Sequence, residues 1–187
     1  MTTLILGVAL FCALHLIPLF TPNIRAASVG KVGEGPYKGL FALATVASFY
    51  LMVSGWQTID PINVYDPPMW GRHVTPLFAL IGIMLFIASN APTNIRRAIR
   101  HPQLTGVALW AVGHLFSNGE SRSMVLFGGM FLYCVLAIIG SNKRDGEWVK
   151  RAALPLSRDI ITIVIGLAVT GALVYFHESF TGLPATL

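Results

Sequence analysis

Two histidines, His15 and His114, each stand inside a long apolar stretch, in Ala13-Leu14-His15-Leu16 and in Trp110-Ala111-Val112-Gly113-His114-Leu115. A neutral imidazole in an apolar medium carries one donor and one acceptor nitrogen, and both need a partner. Two histidines on different helices meet that need by ligating one metal centre through one nitrogen each, while the other N–H donates to a neighbouring acceptor. Haem suits such a pair, because its macrocycle is apolar and asks the protein only for axial ligands. The chain has no Cys-x-x-Cys-His, so a haem here is noncovalent haem b. The alternative is that each imidazole hydrogen-bonds a neighbouring helix and no cofactor is involved. Depth constrains the pairing, since at a rise of ~1.5 Å per residue His114 lies roughly 6 Å outward from the middle of its run. His15 lies near the middle of its own, so tilt or helix offset must bring the two level.

The remaining candidates sit at edges or have a packing role to hand. His101 precedes Pro102 at a helix start, where capping or interface hydrogen bonding is expected. His73 follows Trp70-Gly71-Arg72 and His177 adjoins Glu178, both at the ends of apolar runs. Cys12 shares a helix face with His15 and is either a second soft ligand or a small buried apolar residue. Cys134 reads as packing, and two cysteines inside apolar runs offer neither a disulfide framework nor a CxxC metal site. Asn118-Gly119-Glu120-Ser121 forms a polar turn after His114. Asn118 or Glu120 could orient the imidazole or meet a substrate, or the turn could simply end the helix. Gly128-Gly129 admits a flat cofactor or a second helix backbone.

The elements that carry these residues are set by composition. Of 187 residues 55% are hydrophobic and only 11% charged, with mean hydropathy +0.69. A soluble domain is roughly 25% charged, which argues against a soluble enzyme, a secreted disulfide scaffold and a nucleic-acid partner alike. Six apolar runs are found, over 4–24, 39–59, 74–88, 104–116, 124–139 and 160–176. The fourth is short for a crossing, and charge decides its status. If all six cross, one side holds Arg25, Lys31, Lys38, Arg96, Arg97, Arg100, Lys143, Arg144, Lys150, Arg151 and Arg158, and the other only Arg72 and Arg122. Without the fourth crossing that bias disappears. The positive-inside rule then places the rich side in the cytoplasm and both termini outside.

The expectation is therefore an all-α bundle of six transmembrane helices, a single domain over 1–187 in a bacterial inner membrane. Met1–Leu4 lacks the positive n-region of a signal peptide, so the first run is read as retained. No Asp, Glu, Lys or Arg falls within the six runs, which lowers the case for a proton pump or ion-coupled transporter. Between the second and third runs, Asp60–Trp70 is too rich in turn residues for a helix and reads as an outer loop, with Trp56 and Trp70 as interface anchors. Lys143–Arg158 reads as a charged cytoplasmic linker.

His101-Pro102-x-x-x-Gly106-x-x-Leu109-Trp110-x-x-Gly113-His114, followed by Asn118-Gly119, resembles the signature of the NnrU family of membrane proteins. His15-Leu16-Ile17-Pro18, Arg25 and Gly33-Glu34 through Tyr37-Lys38-Gly39-Leu40-Phe41 extend the resemblance to nearly the whole chain. The resemblance implies an association with nitrite and nitric oxide reduction in denitrifying bacteria. It also implies a domain shared with 15-cis-zeta-carotene isomerase, a membrane protein whose haem b is held by two histidines at positions that look like His15 and His114. Trp110 and Asn118 fall in the same motif and are taken with that pair as cofactor-binding residues. His101 matches a further histidine, to which no role is assigned. This chain has Ala111 where the isomerase has cysteine in its Trp-Cys-x-x-His element, which weakens isomerisation here and leaves haem binding untouched.

Three readings follow. One is a haem b protein serving redox chemistry or nitrite and nitric oxide respiration, with redox or denitrification partners. Another is a haem-dependent cis–trans isomerase of an apolar polyene, marked by a lipid-open groove and one ligand able to leave. The third is a cofactor-free membrane assembly factor whose histidines only bond helices together.

Overall fold

The computed structural model describes residues 1–185. The first apolar run forms α1 (Thr2–Phe20), which stops short of Ile24. Pro22 cannot donate to the helical ladder but suits a first turn, so it starts a second helix, α2 (Pro22–Val32). The chain continues through α3 (Glu34–Thr58), α4 (Gly71–Ala88), the short α5 (Ile95–Ala98) and α6 (Pro102–Leu115). Then come α7 (Ser121–Asp145), which holds a π turn over Met124–Gly128, α8 (Leu156–Tyr175) and α9 (His177–Thr181).

Among the described residues, five helices (α1, α3, α4, α7 and α8) are long and apolar enough to cross a membrane. The fourth apolar run folds as α6, a helix of 14 residues. At ~1.5 Å per residue it rises about 21 Å, less than the ~30 Å of a bilayer's hydrocarbon core.

Helices pair where glycine removes the side chain between them. Helix α1 runs antiparallel to α3, and a Cβ on Gly55 would lie 2.5 Å from Leu4 N. Along α4 and α6 a Cβ on Gly82 would lie 2.6 Å from Gly106 O, and one on Gly113 would meet Phe78 Cβ at 2.7 Å. Gly71 lies under the Phe116 carbonyl, so α6 follows α4 antiparallel over nearly its full length. Helix α7 closes the core against both pairs through Leu4, Val8, Phe11, Met52, Trp56, Ala111, Phe127 and Met130.

Helix α8 is held from outside. Gly166 faces Met84, and the Asp159 carboxylate accepts from Thr93 Oγ1 at 2.5 Å and from Asn94 N at 2.7 Å. Ile160, Ile161, Val164 and Leu167 remain exposed on it, apolar side chains suited to contact with lipid. Helix α9 returns to the end of α3, where Trp56 Nε1 donates to Thr181 O at 3.1 Å. Leu4 packs at the neighbouring Gly55, so the start of α1 and α9 occupy one end of the bundle.

At that same end the segment 59–70 is irregular, as its Pro and Asp content predicts. It is pinned to the turn after α6: Val64 N donates to Gly119 O at 2.8 Å and Ser121 N to Ile62 O at 2.8 Å. The Tyr65 hydroxyl donates to Leu115 O and, at 3.3 Å, to Asn118 O. Burial raises the Tyr65 phenol above its ordinary pKa.

Gly82→Leu or Gly106→Leu is expected to cost about 1–3 kcal/mol by overpacking the α4–α6 contact. Gly171→Ala, where a Cβ meets nothing within 4 Å, is expected to be neutral or stabilising, in line with alanine's better helix propensity. Thermal unfolding in detergent separates the two outcomes.

Candidate functional site

His15 and His114 are held by the same local device on two helices. His15 Nδ1 donates to Phe11 O at 2.8 Å, and His114 Nδ1 donates to Trp110 O at 2.8 Å. A carbonyl oxygen only accepts, so in each ring the proton sits on Nδ1 and the lone pair on Nε2. Neither Nε2 has a hydrogen-bond partner among the described residues, and neither is a fully enclosed atom. Both imidazoles are thus held in the tautomer that leaves the Nε2 lone pair unbonded.

The side chains at i−4 complete the device. Phe11 stacks on His15 with ring centroids 4.2 Å apart, and Trp110 lies 5.0 Å from His114. The pattern aromatic-x-x-x-His is therefore repeated at residues 11–15 and 110–114.

Around His15 the ring is further bounded by Phe41 at 5.1 Å and Tyr133 at 5.9 Å. It opens on a cavity of about 430 Å³ whose apolar walls include Leu14, Pro18, Phe41 and Leu104. Arg25, Lys38 and Arg144 also line it. The volume falls within the ~300–1,000 Å³ of small-molecule and cofactor sites.

His114 sits in a second cluster. Phe127 stacks on it at 4.6 Å, Trp110 lies 5.0 Å from Phe127, and Trp56 meets Phe127 edge-on at 5.8 Å. Phe127 belongs to the π turn at the start of α7, an irregularity often found at functional sites. Arg122 caps this cluster, with Cζ 4.5 Å above the Trp56 ring, Nη1 donating to Trp56 O at 3.3 Å and Nε paired with Glu120 at 2.8 Å.

His114 does not line the His15 cavity. Phe127 and Tyr133 mark the two clusters on α7, and six residues of helix separate them by ~9 Å of rise. The expected difference in depth between the histidines is thus present, and the two rings share no aromatic neighbour.

The other candidates have local partners. Asn118 Nδ2 donates to His114 O at 2.8 Å, so it holds the backbone at the end of α6 rather than the imidazole. Glu120 is taken by Arg122. His101 Nε2 donates to Asn142 Oδ1 at 2.9 Å, tying α6 to α7. His73 is exposed beside Arg72, and His177 Nδ1 donates to Leu183 O. Cys12 packs against the core and Cys134 is buried. Gly129 gives close approach to Val8, whereas a Cβ on Gly128 would meet nothing. Ala111 is fully buried, so this core position carries no thiol. Among the described residues no group of three or more His, Cys, Asp or Glu could hold a metal ion.

Phe11, Phe127 and Tyr133 were not singled out from sequence, and Arg25, Lys38 and Arg144 entered it as basic residues of one side, the first two also as part of the family resemblance, without a link to His15. Phe11 carried a readable signal, the aromatic one helical turn before each histidine. Phe127 and the trio converge only through the packing of α7 and α2.

The structure defines an all-helical protein with helices long and apolar enough to span a membrane and two imidazoles whose Nε2 atoms carry no hydrogen bond among the described residues. The family model described as NnrU protein matches residues 3–185, and the chain belongs to that family. No curated protein and no solved structure matches it.

Arg122→Ala is expected to cost about 1–3 kcal/mol, because it removes a cation–π contact and leaves the partly buried Glu120 without its partner. Denaturation followed by tryptophan fluorescence, to which Trp56 contributes, checks the loss.

Proposed function

We propose that this NnrU-family protein holds haem b for redox work linked to nitrite or nitric oxide reduction in the bacterial cytoplasmic membrane. His15 would be one protein ligand to the group, and His114 is the residue offered for a second. The observation that carries the reading is the matched pair of tautomers, each Nδ1 committed to a backbone carbonyl and each Nε2 without a hydrogen bond. The His15 cavity fits the group in part, since one imidazole among apolar walls suits a macrocycle that brings its own four nitrogens, whereas His114 does not line that cavity and would reach the group only if the helices shift. When bound, haem supplies one-electron chemistry at its iron. The protein's part is to hold the His15 ring through Phe11 O and to exclude water with Phe11, Phe41 and Tyr133.

Six crossings with both termini periplasmic complete the proposal. Its supports are the antiparallel run of α6 along α4, the placement of α9 beside the start of α1, and the concentration of eleven of thirteen basic residues on one side. The short α6 would cross where α4 flanks it and the bilayer thins or the helix ends snorkel.

One observation favours the isomerase as a second reading. The cavity at His15 is open and lacks His114 on its wall, so a group held by His15 alone would leave room beside it for an apolar polyene. Unchanged zeta-carotene isomers after incubation with the reduced, haem-loaded protein would rule that reading out.

Protein purified after expression with added haem is expected to show a Soret band that His15→Ala abolishes and His73→Ala leaves intact. His114→Ala is expected to convert a low-spin spectrum to high-spin; a colourless wild-type protein would instead favour the cofactor-free assembly factor. For topology, cysteines introduced at Thr2 and Lys143 in a Cys12→Ala, Cys134→Ala background are expected to label from the periplasm and the cytoplasm respectively. Labelling of both from one side would contradict six crossings.

A further inference from the structure

We infer that Arg25, Lys38 and Arg144 form a carboxylate clamp at the mouth of the His15 cavity and grip the two propionates of the haem proposed to lie in it. The inference rests on the haem reading of that cavity. Its observation is an amphipathic shape: one imidazole and apolar walls at depth, three cations at the inner end. Haem b has the complementary form, an apolar disc whose two carboxylates project from one edge.

The cations come from three elements, α2, α3 and α7, and meet only through packing. The positive-inside rule accounts for basic residues on this side of the membrane. It does not by itself account for their convergence, from three separate helices, on the apolar-walled cavity that His15 opens on. Phe41, whose ring lies 5.1 Å from His15, is three residues from Lys38, about 5 Å of helical rise. Arg25 Cζ lies 5.7 Å from the Tyr37 ring centroid, which brings α2 over the start of α3.

The existing pairings leave these charges available. Arg25 makes no salt bridge among the described residues. Lys38 pairs with Glu34 at 2.8 Å and Arg144 with Asp145 at 2.7 Å, but the acids' side chains are 63% and 42% exposed. Ion pairs so open to solvent are weak and exchange readily, and neither acid lines the cavity.

The test titrates detergent-purified wild type with haemin and with haemin dimethyl ester, whose carboxylates are blocked, reading affinity from the Soret band. Haemin is expected to bind on the order of tenfold more tightly, by an advantage that shrinks with salt, since two to three partly exposed pairs contribute roughly two- to fivefold each. The triple variant Arg25→Gln, Lys38→Gln, Arg144→Gln is expected to erase that preference while still binding the ester, and Arg151→Gln to leave it unchanged. Equal wild-type affinity for diacid and diester overturns the clamp but not the haem reading. Failure of wild type to bind either porphyrin overturns both. A triple variant that keeps its haemin preference but loses co-purified anionic phospholipid also overturns the clamp, and assigns the trio to lipid headgroups.

Discussion

Inside a bilayer no hydrophobic force draws one apolar helix to another, so this bundle depends on how closely its backbones approach. Gly55 against Leu4 and Gly82 against Gly106 are the contacts that allow it. The first fixes α1 on α3 and with it the depth of His15; the second fixes α6 on α4 and the depth of His114. Helix α7 is packed between the pairs and carries an aromatic neighbour for each histidine, Tyr133 for His15 and Phe127 for His114.

The two histidines repeat one local solution to a shared problem. A buried imidazole must place its proton, and here each does so on the carbonyl of an aromatic residue one turn earlier. That choice costs the helix nothing in its ladder, because a carbonyl has two lone pairs. It also turns the unprotonated nitrogen away from the backbone. The His114 ring is stacked in an aromatic cluster whose Trp56 lies under Arg122, whereas His15 opens on a cavity that Arg25, Lys38 and Arg144 also line. Similar rings thus sit in unlike surroundings, and of the two only His15 lines the apolar-walled cavity.

Much of this was legible in the sequence where a single helix determines the outcome. Apolar run lengths located the long helices, the prolines and aspartates of 60–70 marked the irregular segment, and NnrU motif residues identified the family. Boundaries failed where one residue overrides hydropathy: Pro22 ends the first run at Phe20, and the π turn at Met124–Gly128 alters the register of α7. The site was legible only in part. His15 and His114 stood out as polar groups in apolar runs, but Asn118 and Glu120 proved to serve the chain itself. The link from Arg25, Lys38 and Arg144 to His15 depends on inter-helix packing that no local pattern encodes.

The central claim is that the Nε2 of His15, left free by the bond from Nδ1 to Phe11 O, is an iron ligand. Pulsed electron paramagnetic resonance on ferric protein grown with ¹⁵N-histidine tests it most directly. The account predicts a strongly coupled ¹⁵N signal from an axial imidazole that disappears in His15→Ala. A haem-loaded protein whose axial ¹⁵N coupling survives that substitution unchanged would contradict it.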